Sequence, residues 1–366
     1  MGFESGAVSF RVFHLPRKMP DDALERFAEH AIPPVESVSH GEVRGWASGR
    51  HLLERTISED TSIHGGYLNL NLVTAERKIP TSLLRAECRM EELAHMAANG
   101  TDYVNRSSKS EIRRMVEERL LPQMPPQLKG IPVLHDRSSQ RLYAGALSVG
   151  HVDTFLAYFQ HTLGYSAIPM LPEAVALQRK GSDTRNWRPA SFSPDVSAEL
   201  VSNEAGHDFL TWLWFCAEKR GGIVRLEDAG ETAFMLEGPL TFMMEGDGAF
   251  ETVLRKGQPL LSAEAKTCLL SGKKLKNAKV ILAQGDLSWQ VTLDAGEFIF
   301  RSLKLPDVEA LDAISRFQER VRMMDLFVDS FFGLFDRFVE ERQSEKQWRT
   351  CQSEMQAWAK ERKTRR

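Results

Sequence analysis

The sequence predicts an α+β fold, and three observations support this. Alternating apolar patterns typical of strands are mixed with helical patterns, without a regular strand–helix–strand repeat. From Pro306 onward the pattern is helical. The length of 366 residues exceeds what one hydrophobic core usually fills. We therefore expect two α+β lobes, residues 1–172 and 173–305, followed by a helical C-terminal segment, 306–366, that ends in a basic tail.

The first lobe begins with "AVSFRVF", whose alternating apolar residues predict a strand. The run "DDALERFAEHA", with acids in its first turn, predicts a helix. Residues Tyr67 to Val73 place leucines on one face and asparagines on the other, which predicts a half-buried strand. Pro80 begins the next helix, and a capping box at Ser108 to Glu111 begins another. Two short strands, "IPVLH" and "RLYAGAL", and the helix "VDTFLAYFQHTLG" follow.

The second lobe opens with a connection, residues 173–205, that has little apolar periodicity. The apolar helix "HDFLTWLWFCAEKR" comes next, followed by strand-like runs from "GIVRLED" to "FETVLRKG". Residues Lys279 to Leu305 contain three alternating runs separated by Gly-Asp and Ala-Gly turns, which predicts an antiparallel meander.

The C-terminal segment carries apolar residues at heptad spacing over four heptads. Such a seam packs against another helix. Two interpretations remain open: a helical hairpin that forms its own domain, or a surface that pairs two subunits. The two heptad series are Ile314, Val321, Val328 and Phe335, and Phe317, Met324, Phe331 and Phe338.

Composition excludes several classes of protein. The net charge is −3, from 47 Lys+Arg and 50 Asp+Glu, so a polyanion site must be a local patch. No apolar run approaches the length of a membrane span, and the N-terminus does not resemble a signal peptide. Four cysteines lie far apart without a CxxC pair, which favours a reducing cytoplasm.

Motifs for common enzyme chemistry are absent from the sequence. It has no phosphate-binding P-loop, no dinucleotide fingerprint, no GxSxG elbow and no histidine ligand set. Glu264 and Lys266 form an E-x-K with Asp247 upstream, a pattern that some nucleases carry on a strand. Ser262 looks like an N-cap, which places the pair on a helix where the side chains diverge. We expect no catalytic residue, no metal and no cofactor.

Residues 254–282 carry seven Lys or Arg and one acid. Arg255 and Lys256 follow a strand and precede Gly-Gln-Pro, the pattern of a loop tip that presents cations. A second cluster follows a short helix, so both groups are expected on one surface. Its members are Lys273, Lys274, Lys276 and Lys279. Such side chains contact phosphates rather than base edges, and the few aromatics disfavour single strands, so duplex DNA fits. The alternative is a solvated charge run.

The order of several stretches resembles the RdgC family of recombination-associated bacterial DNA-binding proteins. These are "DDALERFAEHAIPPVESVSHGEVRGW", "GGYLNLNLVTAERKIPTSLLRAE", "KSEIRRMVEERLLPQMPPQLKGIPVLHDRSSQRLYAGALSVGHVDTFLAYFQHTLG" and "LSAEAKTCLLSGKKLKNAKVILAQGDLSWQVTLDAGEFIFRSLKLP". The resemblance implies cytoplasmic, nucleoid-associated homodimers. Two arc-like subunits close into a ring with a positive inner surface. The ring surrounds double-stranded DNA without reading its sequence and restrains a recombinase filament, a further expected partner. A metal-dependent exonuclease is the alternative function.

The resemblance also implies site residues. The family's Lys-Lys-Gln finger corresponds to Arg255, Lys256 and Gln258, with a glycine inserted at 257. The lysines at 273, 274, 276 and 279 and the basic pair Arg77 and Lys78 join the expected DNA contacts.

At the gate where two subunits of the family meet, an aromatic is expected after the Leu-Leu-Pro helix end. This chain has Met124, Pro125 and Leu128 there instead, which gives a weaker apolar contact than a ring.

Overall fold

Antiparallel strands and helices form an α+β fold in the computed structural model, which describes residues 2–38, 41–198, 203–227, 230–244, 250–307 and 312–361. The strands are β1 Val8–His14, β2 Glu42–Ser48, β3 Ile63–His64, β4 Tyr67–Arg77, β5 Pro126–Asp136, β6 Arg141–Ala144, β7 Ile168–Pro169, β8 Ile223–Leu226, β9 Gly230–Met244, β10 Phe250–Leu254, β11 Lys274–Gln284, β12 Leu287–Asp294 and β13 Ile299–Lys304. The helices are α1 Ala23–Glu29, α2 Glu59–Ser62, α3 Thr81–Asn99, α4 Arg106–Leu120, α5 Val149–Leu163, α6 Pro172–Lys180, α7 Ala205–Lys219, α8 Ala263–Leu270, α9 Ala313–Gln343 and α10 Glu345–Lys360. None of these helices combines the length and the apolar character needed to cross a membrane.

The chain divides into two compact units. The first unit comprises residues 1–18, 138–153 and 166–366, and the second comprises 19–137 and 154–165. This division differs from the expected boundaries after 172 and 305. The N-terminal strand β1 pairs with β13 near the C-terminal helices, so elements distant in sequence share one unit.

The first unit contains an antiparallel sheet in the order β10-β9-β11-β12-β13-β1-β6, with β8 beside β9 and β7 beside β1. The predicted meander is confirmed, since β11, β12 and β13 pair in sequence order. Its first strand starts earlier than expected, at Lys274 rather than Lys279. The basic segment therefore enters the sheet instead of preceding it.

The heptad seam of α9 packs on this sheet and on α7. Its members are buried except Ile314, which is 60% exposed. The ring centroid of Phe331 lies 4.9 Å from that of Phe300 on β13 and 5.6 Å from that of Phe209 on α7. The expected hairpin exists, because α10 follows α9 after Ser344, but it is not a separate domain. A seam covered by its own sheet offers no free surface for pairing subunits.

Residues 173–205, expected to connect two lobes, belong to the first unit. Helix α6 begins at Pro172 and covers their first part, and Arg179 on it donates to Asp336 on α9 from two nitrogens, at 2.9 and 2.7 Å. Asn203 donates to the carbonyls of Thr184 and Trp187 at 3.2 and 2.9 Å. Polar contacts, which a periodicity search does not register, hold this segment in place.

The second unit contains an antiparallel sheet in which β4 lies between β5 and β2 and also pairs with β3. Strand β4 is buried on both faces, including Asn69 and Asn71, so the expectation of a half-buried strand is wrong. The Asn71 side-chain amide donates to the Ser48 carbonyl at 3.0 Å. That bond satisfies a polar group that burial would otherwise penalise.

Helices α3 and α4 form a hairpin around a small apolar cluster that includes Ile112, Val116 and Leu120. The expected capping box at Ser108 is wrong, because α4 begins earlier, at Arg106. Asn105 is the N-cap and its side chain accepts from the Ser108 backbone amide at 2.8 Å.

Substituting Phe331→Ala should lower the free energy of unfolding by about 3–5 kcal/mol, because it leaves a cavity between α9, β13 and α7. Ile314→Ala, in the other heptad series of α9 and exposed, should change it by less than about 0.5 kcal/mol. Urea denaturation followed by circular dichroism measures both. Equal effects of the two substitutions would contradict the packing of α9 described above.

Candidate nucleic-acid interface

The finger loop, residues 255–258, leaves the end of β10, which pairs with β9 at the margin of the first unit's sheet. Arg255, Lys256 and Gln258 are exposed. Gly257 has φ +76°, a left-handed conformation that other residues rarely adopt, so the inserted glycine makes the turn. Pro259 is buried and closes the loop. The sequence prediction of exposed cations at a loop tip is confirmed for Arg255 and Lys256.

Both cations of the finger loop are available to a ligand. Within the part of the chain that the structure describes, the side chains of Arg255 and Lys256 take part in no ion pair or hydrogen bond. A cation with no carboxylate beside it keeps its full charge for an incoming anion.

The second basic cluster does not form an exposed patch. Lys273 and Lys274 are buried. The Lys274 ammonium lies 2.5 Å from the Asp208 carboxylate of α7. The Lys273 ammonium donates to the Thr252 hydroxyl and lies 4.2 Å from the ring centroid of Phe250. The expectation that these two lysines contact DNA is therefore corrected, because the start of β11 and the residue before it place both side chains inside the unit.

Lys276 and Lys279 are half-buried and paired with acids of neighbouring strands. The Lys276 ammonium lies 3.7 Å from Glu251 on β10, and that of Lys279 lies 2.9 Å from Glu237 on β9. Each lysine thus has a carboxylate within 4 Å, and each pair together carries no net charge. Lys276 and Lys279 therefore add little surplus positive charge to the finger loop.

The two residues of the basic pair in the second unit, Arg77 and Lys78, differ in their surroundings. Arg77 donates hydrogen bonds to the backbone carbonyls of Val38, Pro122 and Met124. These bonds tie the end of β4 to the segment after α4, so Arg77 is a structural residue in this conformation. Lys78 is exposed and remains a predicted DNA contact.

The expected gate residues lie in the second unit just before and within β5. Pro125 is exposed and Met124 is half-buried. Leu128 packs against the apolar cluster that contains Val73 and Ala75. Leu128 is thus committed to the core of its own unit, which leaves Met124 and Pro125 as the residues available for a subunit contact.

The E-x-K pair lies on helix α8, as expected. Lys266 is buried, with its ammonium 3.1 Å from the ring centroid of Trp358 and 3.8 Å from Glu218. Asp247 lies outside the described residues. Among the described residues, no group of three or more His, Cys, Asp or Glu side chains is placed to hold a metal ion.

Sequence reasoning missed a second group of arginines in the first unit. Arg188 and Arg349 both contact the Glu345 carboxylate, at 3.2 and 2.6 Å. Each arginine directly follows a tryptophan, in "NWR" and "QWR", and this repeated dipeptide is the signal that was available in the sequence.

No family model matches the sequence, and no curated protein matches it. The resemblance to the RdgC family therefore rests on the order of its motifs.

Replacing Lys274 with Met should lower the free energy of unfolding by about 3–5 kcal/mol, because it leaves the Asp208 carboxylate buried without its closest cation. The matched exposed change, Lys256→Met, should stay within about 0.5 kcal/mol. The double variant Asp208→Leu/Lys274→Met should recover part of the loss, since it removes the stranded carboxylate, while buried Arg342 then loses the Asp208 oxygen 4.0 Å away. Urea denaturation measures the free energy of unfolding of each variant. If Lys274→Met left this free energy unchanged, the buried pair would be refuted.

Proposed function

We propose that the chain binds double-stranded DNA without reading its sequence, as a homodimer, and in doing so restrains a recombinase filament. The observation that carries the proposal is the finger loop, where Arg255 and Lys256 are exposed and have no ion-pair partner among the described residues, while the lysines of β11 are paired with acids. The order of the family-like motifs supports the same function and the cytoplasmic, nucleoid-associated location.

The residue types of the loop suit phosphate oxygens. An arginine offers two parallel N–H groups to one phosphate, a lysine offers a point charge, and the Gln258 amide is a neutral donor. Residues 255–258 contain no aromatic side chain on which an unpaired base would stack. Contacts of this kind position DNA without selecting a base.

The finger loop supplies only two cations per subunit, which favours a dimer. Each neutralised phosphate contributes about −0.9 to the slope of log affinity against log salt concentration, so two contacts give about −2 for one subunit and four give about −4 for two. Two cations alone hold a duplex weakly. A pair of finger loops on one duplex raises the effective affinity because the second contact becomes intramolecular.

The test compares two double charge reversals of equal net charge. Arg255→Glu/Lys256→Glu should weaken binding to duplexes of any sequence by at least about tenfold and reduce the salt slope by about 2 per subunit. Arg106→Glu/Lys109→Glu, at exposed positions of α4, should leave most of the affinity. Fluorescence anisotropy over a salt series gives both quantities.

Three outcomes would contradict this function. One is an Arg255→Glu/Lys256→Glu variant that binds duplex as tightly as the unmodified chain. Another is a mass of 41.4 kDa, that of a single chain, for the DNA-bound species after subtraction of the duplex. The third is cleavage of the duplex in Mg²⁺ or Mn²⁺ that is lost on substituting Glu264 or Asp247, which would establish the exonuclease alternative.

A further inference from the structure

A cleft of about 570 Å³ lies in the first unit between the segment 181–189 and the start of α10. Three arginines and two tryptophans are among the residues that line it. They are Trp187, Arg188, Arg342, Trp348 and Arg349. The two Trp-Arg dipeptides thus lie on opposite walls of one cleft. Neither the finger loop nor β11 contributes to it.

Arg342, near the end of α9, is the most deeply placed cation of the cleft. Its side chain is 3% exposed, and its guanidinium carbon lies 5.2 and 4.4 Å from the ring centroids of Trp187 and Trp348. One terminal nitrogen donates to the Arg188 carbonyl, and the closest Asp208 oxygen is 4.0 Å away. Among the described residues, the Nε–H has no acceptor.

Burial of this kind is costly for a charged group. Desolvation lowers the pKa of Arg342, against a smaller opposing effect of Asp208. A buried guanidinium with an unused N–H group is stabilised by any anion that reaches it. Arg342 is one of the residues that line the cleft, so an anion in the cleft lies beside its guanidinium.

Arg188 and Arg349 are already spaced to share one oxyanion. Both guanidiniums contact the carboxylate of Glu345, which also lines the cleft. Both arginines are mostly exposed, with 82% and 70% of their side chains accessible, so a ligand can approach them. A carboxylate carries one negative charge, whereas a phosphate group carries up to two and has more acceptor oxygens.

The N-terminus of α10 adds the partial positive charge of its free backbone N–H groups to this cleft. Ser344 is its N-cap, but the Ser344 side chain makes no capping hydrogen bond to the helix. The first-turn N–H groups of this 16-residue helix are therefore left for Glu345 or for an external anion.

We propose that this cleft binds a phosphate group, which displaces the Glu345 carboxylate and is held by Arg188, Arg349 and Arg342. Glu345 occupies the anion position when no phosphate is bound. The second acid of the cleft, Asp183, does not compete, because it is bonded to Arg185 at 2.7 Å and that contact lowers its pKa. The inference goes beyond the proposed function and does not depend on it.

Isothermal titration with inorganic pyrophosphate, in a buffer free of phosphate, tests the cleft directly. The unmodified chain should bind it saturably, and Arg188→Gln/Arg349→Gln should weaken binding by roughly tenfold or more. Glu345→Gln should strengthen binding severalfold, because the competing carboxylate is gone. Arg185→Gln is the control and should change little, since Arg185 is engaged with Asp183.

A duplex measured in parallel distinguishes two sources of the phosphate. If a free phosphate compound is the ligand, Arg188→Gln/Arg349→Gln lowers pyrophosphate affinity and leaves duplex affinity unchanged. If the DNA backbone supplies the phosphate, both affinities fall together. These arginines are exposed, so the variants should fold, and a melting curve for each verifies this.

The proposal is overturned if the unmodified chain shows no saturable pyrophosphate binding and the double variant binds duplex normally. It is also overturned if Glu345→Gln binds pyrophosphate no better than the unmodified chain, because displacement of that carboxylate is the central step. Neither result would affect the finger loop, whose reversal is measured separately.

Discussion

One buried carboxylate, Asp208, holds two cations of the first unit inside it. Asp208 on α7 is fully buried, and its neighbours are Lys274 on β11 and Arg342 on α9. A carboxylate buried in this way is stable only with cations beside it. Removing either the carboxylate or a cation leaves a buried charge without its partner. These contacts connect α7, β11 and α9. The charges of Lys274 and Arg342 are therefore buried in the unit and not exposed on its surface.

Pairing with acids explains why the two basic surfaces of the unit differ. Strand β11 loses its positive character because its lysines meet Asp208, Glu251 and Glu237. The finger loop keeps its charge because it has left the sheet, where no described acid lies beside it. Arg342, drawn inward by Asp208, becomes the inner wall of a cleft whose outer arginines share a weaker anion, Glu345.

Local patterns in the sequence predicted the helices and strands well, but they predicted poorly which side chains are buried and what each element packs against. Apolar periodicity located α7, α9 and the meander, because these patterns depend on neighbouring residues alone. The burial of Lys274 depends on Asp208, which is distant in the chain and belongs to a helix that looks merely apolar. The heptad seam of α9 was also evident from the spacing of its apolar residues. The spacing does not show whether such a seam packs against another subunit or against the chain's own sheet. The finger loop was predictable because a Gly-Gln-Pro turn exposes its neighbours under almost any arrangement.

Acetylation of the folded chain by a small reagent, with each lysine followed by mass spectrometry, tests this account most directly. Lys256 should react rapidly, Lys273 and Lys274 should react only as the protein unfolds, and saturating duplex DNA should protect Lys256. Rapid labelling of Lys274 at the rate of Lys256 would show that the carboxylate of Asp208 does not hold it. The division between buried and available cations would then be wrong.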